Sequence, residues 1–514
     1  MRVYLLLFLL AICLAAEQKA SVVRQNGRYV VVPGHFPDRA VAWATYDDKI
    51  QTTGWGMFNV ETSTSSQFSD HDQMFAIGML EGFLTNRNIW DFKVNMWAKT
   101  FPKGVPEVVT NFLRSQDSWI REMMAVGAAH EPFWYQVSLS LRQLEGMTEG
   151  YNQASDFTLT YMDLLLITAE AELIELLPAL NVTSIPATLD EILESQECSA
   201  ILRLSPDKSQ MYLAHNTWTR YSGMIRIYKS FSLNLRNHTA SNKFSYPSRP
   251  GYLFSKDDSY LSETLWVTET TISIHDESLY RRVADYRGVP TWIRAMVALR
   301  FAKYGEQWTD MFKKWNSGTY CNQWVVVDRT RWRSGYGLIG YGMMLLEQIP
   351  GFTYTEDISG IFNRLGYFPM YNIPFNNMVY QYAGYPQMKE KFGDQFDYAK
   401  CPRAQIFKRE APSVDSFEKM KTLMRLNEYK TDPLSQGNPK DAIAARYDLH
   451  PTNPRPYGAV DAKVTMVGAD GKVFTDIISG PTTQGHAPFE WAKTKFDDVR
   501  QGVPEKFDFD WIRV

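Results

Sequence analysis

The chain has 514 residues, of which 45% are hydrophobic and 22% charged, so it is long enough for one large globular domain or for two to three ordinary ones. Its formal net charge of −3 at pH 7 gives no electrostatic basis for binding nucleic acid. The aromatic share of 14%, with 15 Trp and 28 Tyr, indicates a broad core and an extended binding surface.

The N-terminus has the pattern of a secretory signal peptide. A positive residue precedes a short apolar stretch over 4–14, and small residues follow at the expected cleavage site. We therefore expect residues 1–16 to be removed and the protein to enter the secretory pathway. Two sequons, at Asn181 and Asn237, then become usable for N-glycosylation.

Three of the four helices predicted from apolar spacing precede Cys198, and the fourth lies among the later strands. Apolar spacing predicts helices over residues 74–84, 107–125, 158–177 and 291–304. On the third of these, Glu170, Glu172 and Glu175 are predicted to form one exposed edge. The polar segment 178–197, which carries two prolines and a sequon, is predicted to be a surface loop that leads directly into Cys198.

After this loop the pattern changes to strands. They are predicted over residues 198–204, 209–215, 223–231, 264–274 and 323–328. Helices come first and strands then dominate, which favours one compact unit of layered α+β architecture with a mainly antiparallel sheet. The stretch 432–460 is rich in Pro, Asn, Asp and Gly and is predicted to be a long surface excursion.

The first two of these strands are predicted to form a hairpin, and its register determines which residues lie opposite each other. If the SPDK turn is a four-residue loop, Leu204 pairs with Ser209. Cys198 then pairs with His215. Directly opposed residues lie about 4.5–5.5 Å apart and point to the same face, whereas a one-residue slip would put them on opposite faces. This register predicts a thiol beside an imidazole.

The cysteine count leaves at least one unpaired thiol. Once Cys13 has left with the signal peptide, an odd number remains: Cys198, Cys321 and Cys401. A thiol on the first residue of a chain has its own α-amino group as a base, with an unperturbed pKa of about 7.7–8.0. That amine would exist only after Cys198 had cut the bond to Glu197 by attacking its carbonyl. The alternative is a buried structural thiol.

Other local signals favour structural roles. Residues 70–72, Asp-His-Asp, indicate a solvated turn or a helix N-terminal cap rather than a metal site. We find no H-E-x-x-H, paired C-x-x-C, G-x-S-x-G or dinucleotide motif, so neither a metal nor another cofactor is predicted. Arg300, Arg331 and Arg333 are predicted to be surface charges. His215 taken alone is more often a structural histidine.

Longer motifs extend over most of the chain, from about residue 40 to its end. They are SDHDQMFAIGMLEGFLT (69–85), ECSAILRL (197–204), AHNTWTRY (214–221), VTETTISI (267–274), GTYCNQWVVVD (318–328), EQIPG (347–351), YNIPF (371–375), CPRAQIF (401–407), GNPKDAIAARYDL (437–449), GAVDAKVT (458–465) and GPTTQGHAPFEW (480–491). In this order they resemble the phospholipase B-like family of N-terminal nucleophile hydrolases.

The resemblance implies a fold and a maturation step. The fold is a four-layer αββα sandwich, in which helices cover two antiparallel sheets. Autocatalytic cleavage before Cys198 would leave an N-terminal fragment, 17–197, associated with a catalytic fragment, 198–514. The family also implies a lysosomal or secreted glycoprotein.

The resemblance also assigns site residues. Cys198 is the nucleophile, and His215 and Trp218 lie in the pocket. Asn322 and a threonine of the VTETT stretch, taken as Thr270, polarise the scissile carbonyl or place the substrate.

One departure affects this site. The family commonly reads NNQW where this chain reads CNQW, so Cys321 replaces a polar side chain. It either pairs with Cys401 or remains a second free thiol.

The resulting hypothesis is a hydrolase of acyl ester or amide bonds. It acts on lipid-type substrates through a Cys198 thioester, needs no cofactor, and contacts membranes only transiently through its substrate. One alternative is an N-acyl-amide or peptide hydrolase with the same mechanism. The other is a non-catalytic secreted glycoprotein that binds a lipid or protein partner.

Overall fold

The computed structural model describes residues 17–183 and 198–514. The predicted signal peptide and Glu197, which contributes the carbonyl of the predicted cleavage bond, lie outside the described residues. Among the described residues, no helix combines the length and apolar character needed to cross a bilayer.

Strands occur on both sides of Cys198. Those before it are β1 (Gln18–Gln25), β2 (Arg28–Pro33), β3 (Ala40–Lys49) and β4 (Trp55–Thr62). Those after it are β5 (Ser199–Leu204), β6 (Met211–Asn216), β7 (Trp218–Arg220), β8 (Ile227–Ser232), β9 (Lys243–Ser248), β10 (Ser259–Ser262), β11 (Leu265–Thr271), β12 (Asn322–Asp328), β13 (Trp332–Arg333), β14 (Gly337–Leu338), β15 (Met343–Ile349), β16 (Phe352–Asp357), β17 (Tyr367–Met370), β18 (Tyr457–Ala459), β19 (Asp461–Val467), β20 (Val473–Ser479), β21 (Phe489–Glu490), β22 (Lys506–Phe507) and β23 (Ile512–Arg513).

The described residues also contain fifteen helices. They are α1 (Ile50–Thr53), α2 (Asp70–Leu84), α3 (Asn86–Thr100), α4 (Glu107–Gly127), α5 (Pro132–Ala154), α6 (Tyr161–Thr168), α7 (Leu173–Ala179), α8 (Tyr280–Val283), α9 (Thr291–Phe301), α10 (Gly305–Phe312), α11 (Ser359–Leu365), α12 (Asn377–Tyr382), α13 (Tyr385–Phe392), α14 (Pro402–Glu410) and α15 (Phe417–Met424). The predicted mixed α+β class is confirmed.

The larger sheet joins the two sides of Cys198. Its 11 strands run in the order β16-β15-β12-β11-β10-β9-β8-β4-β3-β1-β2. Neighbours are antiparallel except β4 and β8, which pair in parallel from Gly56–Ile227 to Glu61–Ser232. A cut before Cys198 would therefore leave both pieces hydrogen-bonded in one sheet, because β4 precedes that bond and β8 follows it.

The second sheet carries the hairpin that begins beside Cys198. Its order is β17-β5-β6-β19-β20-β23, with every neighbouring pair antiparallel. Leu202 and Leu213 of this sheet share one buried apolar cluster with Val325 and Leu345 of the larger sheet. The two sheets thus pack against each other through apolar side chains, which removes that surface from water.

Helices pack on both sheets. Helix α2 contacts β1, β3 and β4 of the larger sheet, and α15 contacts β6 and β19 of the smaller one. Helices α2 and α5 approach each other closely at glycines. A Cβ atom at Gly78 would lie 2.0 Å from the Gln143 carbonyl oxygen, and one at Gly150 would lie 2.0 Å from that of Met79. Only glycine permits this spacing.

The hairpin register predicted from the sequence is wrong by two residues. Leu204 pairs with Met211, and His215 pairs with Ala200. The turn is displaced because Ser205 and Gln210 bond to each other, with the Ser205 N–H donating to the Gln210 carbonyl oxygen at 2.9 Å. A shift of two leaves the facing of every side chain unchanged, since side chains alternate with period two.

The predicted 158–177 helix is divided in two. Helix α6 ends at Thr168, a single 3₁₀ turn follows, and α7 continues through Pro178. The exposed acidic edge predicted on this segment is also wrong. Glu172 and Glu175 are buried, and Glu170 is 12% exposed in a salt bridge of 2.9 Å with Lys256. The carboxylates turn inward because they accept hydrogen bonds from the interior.

Two other predictions about polar residues have different outcomes. Residues 70–72 do begin a helix, since the Ser69 side chain accepts from the Asp72 N–H in a capping box. Arg300 was predicted at the surface and is instead fully buried, where it donates to Gln136 Oε1 at 2.8 Å and to Ser140 Oγ at 2.7 Å. A buried guanidinium needs such acceptors, because an unpaired one is costly to desolvate.

Candidate active site around Cys198

Cys198 lies immediately before β5 and is fully buried. Its φ of 89° falls in the region that side chains with a Cβ rarely adopt. Such a conformation costs on the order of 1–3 kcal/mol and persists only where the surroundings impose it. The strained residue is the one whose preceding peptide bond is predicted to break.

The Cys198 sulfur lies in a cluster of three reactive side chains. Its Sγ is 3.7 Å from Asp258 Oδ2, and His215 completes the group, with one atom of each residue within 4.8 Å of the others. His215 comes from the neighbouring strand on the same face, as the alternation predicted. Asp258 comes from the loop before β10 and was not singled out from the sequence, because nothing local marks an aspartate 60 residues away as a neighbour.

Asp258 is held in place by a tyrosine. The Tyr320 hydroxyl lies 3.0 and 3.1 Å from the two Asp258 carboxylate oxygens. Burial, together with the nearby charge of Asp257, raises the pKa of Asp258 to about 7. Asp258 is thus able to exchange a proton near neutral pH.

His215 is neutral in this environment. Burial lowers its pKa well below the usual value of 6.5, and the Lys463 ammonium lowers it further. A neutral imidazole has one nitrogen free to take up a proton, so His215 can act as a base toward the thiol.

Arg403 fixes the main chain of the nucleophile. Its Nη1 donates to the Cys198 carbonyl oxygen at 2.6 Å, and Nη2 donates to the Tyr371 carbonyl oxygen at 2.9 Å. The guanidinium stacks on the Trp218 ring at 4.5 Å from its centroid. The structure therefore places Trp218 beside Cys198 through Arg403. Arg403 was not among the predicted site residues, although it lies in the CPRAQIF motif.

Asn216 secures the start of β5. Its Oδ1 accepts from the Ser199 N–H and from Trp218 Nε1, both at 3.0 Å. Its Nδ2 donates to the carbonyl oxygens of Met424 and Ile443 at 2.9 and 3.0 Å. Every polar atom of this buried amide is used, so the strand that carries the nucleophile is rigidly connected to distant segments.

A buried charge network lies next to the cluster. Arg226 donates to Asp257 at 2.9 Å and also to Asp461, and Lys463 bonds both oxygens of Asp461 at 2.9 Å. Burial alone would raise the pKa of Asp461, but Lys463 and Arg226 lower it overall. The network holds Asp257, and hence its neighbour Asp258, in a fixed position.

The two predicted carbonyl-polarising residues lie on neighbouring strands. Thr270, near the end of β11, pairs with Gln323, and its hydroxyl is 3.4 Å from the Asn372 N–H. Asn322 begins β12 and is fully buried, with neither its side-chain oxygen nor its nitrogen hydrogen-bonded to any described residue. A buried amide without partners is available to a ligand.

Cys321 and Cys401 do not form the disulfide considered from the sequence, since each is a buried thiol outside any disulfide. The Cys321 Sγ contacts the Gly318 carbonyl oxygen at 3.3 Å. The two sequon asparagines, Asn181 and Asn237, are exposed as N-glycosylation would require.

A small cavity lies beside the site. A cavity of about 10 Å³ is lined by Trp218, Tyr371, Arg403, Lys440 and Tyr447, among others, next to the contacts of Cys198. It has room for about one water molecule. The Cys198 sulfur itself is fully buried, so the atoms around it must move before an acyl group can enter.

A second pair of buried acids connects the segment before the predicted loop to the site. Glu175 Oε2 accepts from the Tyr320 N–H at 2.8 Å, and Oε1 accepts from the Cys321 N–H at 3.3 Å. Glu172 accepts from the Trp292 N–H at 3.0 Å. Burial raises the pKa of Glu175 to about 8, and the charge of Glu172 contributes in the same direction.

This pair predicts a pH-dependent stability. Folded Glu175 holds a proton between its unfolded pKa near 4.5 and its folded pKa near 8, so its stabilising contribution is complete below pH 4.5 and is lost as pH rises through 8. We expect the free energy of unfolding in urea to fall by on the order of a few kcal/mol from pH 5 to pH 8.5.

The matched variants are Glu175→Gln, in the pair, and Glu122→Gln, on the exposed side of α4. The first should flatten the pH dependence, and the second should leave it unchanged. Equal slopes in wild type and Glu175→Gln would refute the assignment.

Comparison with known proteins gives matches over most of the chain. A family model described as Phospholipase B matches residues 42–514. The relative "Phospholipase B-like 1" of Rattus norvegicus is 35% identical over 483 residues, covering 92% of this chain and 87% of its own. "Phospholipase B-like 1" of Bos taurus is 32% identical over 525 residues, covering 99% and 96%. "Phospholipase B-like protein G" of Dictyostelium discoideum is 34% identical over 518 residues, covering 92% and 86%.

Proposed function

The chain belongs to the phospholipase B family, and from that premise we propose that it is a self-cleaving hydrolase whose nucleophile is the sulfur of Cys198. The names of the relatives support a hydrolase-type function in broad terms. The observation that carries the specific proposal is the buried cluster in which the Cys198 sulfur lies beside His215 and Asp258.

The first step is scission of the bond between Glu197 and Cys198. His215 takes the thiol proton, and the sulfur attacks the Glu197 carbonyl carbon through a five-membered ring. The C–N bond breaks, the departing nitrogen receives a proton, and a thioester remains. Water then hydrolyses the thioester, which releases the Glu197 carboxylate and leaves Cys198 with a free thiol and a free α-amine.

The same groups then serve turnover. The new α-amine, with an unperturbed pKa of about 7.7–8.0, takes the thiol proton as the sulfur attacks an acyl carbonyl. An acyl thioester forms, the alcohol or amine leaves with a proton, and water releases the fatty acid. Asn322 offers its unpartnered amide as a donor to the oxyanion, with Thr270 placing the substrate.

The setting of the enzyme is part of the proposal. The packing of helices on two face-to-face sheets supports the four-layer αββα arrangement. The shared 11-stranded sheet supports lasting association of the fragments 17–197 and 198–514. The exposed sequons at Asn181 and Asn237 support a glycoprotein of the lysosome or extracellular space, which contacts membranes only through its lipid substrate.

The test begins with the secreted protein. Its fragments are separated under denaturing conditions and sequenced from their N-termini, and we expect one to begin Cys-Ser-Ala. A lysophospholipid and an N-acyl amide with the same acyl chain are then compared as substrates. Hydrolysis of the N-acyl amide without hydrolysis of the lysophospholipid would favour the N-acyl-amide alternative. Amide hydrolysis is within reach of the same nucleophile, because self-cleavage also breaks an amide bond. An active preparation that keeps an intact chain at Cys198 would overturn the proposal.

A further inference from the structure

The Cys198 cluster has the composition of a transition-metal site. A thiol, an imidazole and a carboxyl group are the side chains that bind Zn²⁺ in proteins, and here all three are buried. One ligand atom of each lies within 4.8 Å of the others. Three protein ligands leave a fourth tetrahedral position open.

The separation of the sulfur and the carboxylate in the cluster suits a shared ion. With Zn–S of about 2.3 Å and Zn–O of about 2.1 Å, a tetrahedral ion holds its sulfur and oxygen ligands about 3.6 Å apart. Cys198 Sγ and Asp258 Oδ2 are separated by 3.7 Å. The Tyr320 hydroxyl bonds the same carboxylate, as a partner that orients a ligand does.

His215 provides an independent indication. Its side chain is fully buried and faces the Glu269 main chain, and neither ring nitrogen has a short, well-aligned hydrogen bond to a described residue. A metal-bound histidine typically donates one ring N–H to a backbone carbonyl and leaves the other nitrogen to the ion.

The charges of the site balance those of a divalent ion. A Cys198 thiolate and the Asp258 carboxylate together neutralise Zn²⁺, which is required in an interior that excludes water. The cations beside the cluster have partners of their own: the Lys463 ammonium is bonded to Asp461, and the Arg403 guanidinium donates to two main-chain carbonyl oxygens.

We propose that Cys198, His215 and Asp258 bind Zn²⁺ and that the bound ion holds the chain in its uncut form. On binding, the thiol proton passes to solvent and the sulfur lone pair is donated to the ion. The sulfur then cannot attack the Glu197 carbonyl. Binding itself needs only the three side chains, and the block of scission rests on the proposed function.

Cobalt is the probe, because a thiolate bound to Co²⁺ gives a charge-transfer band in the near ultraviolet that Zn²⁺ lacks. The full-length protein is titrated with Co²⁺ alongside Cys198→Ala, His215→Ala and Cys321→Ala. Cys321 supplies the matched control, since it is an equally buried thiol outside the cluster. We expect one equivalent of Co²⁺ to give the band in wild type and in Cys321→Ala. The band should be absent in Cys198→Ala and require at least about tenfold more Co²⁺ in His215→Ala.

Zn²⁺ should displace the cobalt band and slow the appearance of the Cys-Ser-Ala fragment, and a chelator should restore it. No band in wild type, or a band that survives in Cys198→Ala, would overturn the metal site. If the cobalt band appears but Zn²⁺ has no effect on scission, the metal site stands and only the proposed block of scission is overturned. If the metal-free chain never cleaves, the proposed function fails while the cobalt titration still decides whether the ion binds.

Discussion

Replacing Cys198 with alanine should give a single full-length polypeptide with no acyl hydrolysis. The sulfur is the only group proposed to attack both the Glu197 carbonyl and the substrate, so its loss removes both steps. We expect activity to fall by at least about a thousandfold. Gel electrophoresis under denaturing conditions measures scission, and fatty-acid release from a lysophospholipid measures turnover.

Two further variants test whether the loss of scission and hydrolysis is due to the Cys198 nucleophile itself. Cys198→Ser keeps a weaker nucleophile in the same place and should cleave itself slowly. Cys321→Ala removes a buried thiol whose Sγ contacts the Gly318 carbonyl oxygen, and it should still yield the Cys-Ser-Ala fragment. Normal scission in Cys198→Ala would mean that a separate protease makes the cut and that the cluster has another role.

The second large effect is expected on stability, from Arg226→Ala. Arg226 is fully buried, bonds Asp257 and Asp461, and lies over the Trp55 ring at 4.9 Å. Removing one partner of a buried ionic group leaves uncompensated charge, which costs about 3–5 kcal/mol. Urea denaturation monitored by tryptophan fluorescence measures this loss.

The control is Arg287→Ala, because Arg287 forms an exposed salt bridge of 2.9 Å with Asp285. Exposed pairs contribute little, so its denaturation curve should match wild type. Arg226→Lys keeps the charge but loses the planar guanidinium that bonds two carboxylates. Its free energy of unfolding should lie between those of wild type and Arg226→Ala. An Arg226→Ala protein as stable as wild type would show that the buried network contributes no net stability.

Local patterns predicted much of the site. Alternation along β5 and β6 placed Cys198 and His215 on one face, and this held although the predicted register was wrong by two residues. The four predicted helical regions are helical, although 158–177 is broken after Thr168. Side-chain alternation and helical spacing depend on residues only a few positions apart, so both can be predicted from a short stretch of sequence.

The sequence by itself determined the α+β class, the family resemblance and the strand pair that carries the thiol. Only the tertiary structure brought Asp258 to the sulfur and Arg403 to the Cys198 carbonyl, and only it turned Glu175 and Arg300 inward. The physical reason is that a buried charge is stabilised by whichever partner the folded chain places beside it. These partners lie far apart in sequence, so the periodicity of a local segment does not predict that they will be in contact.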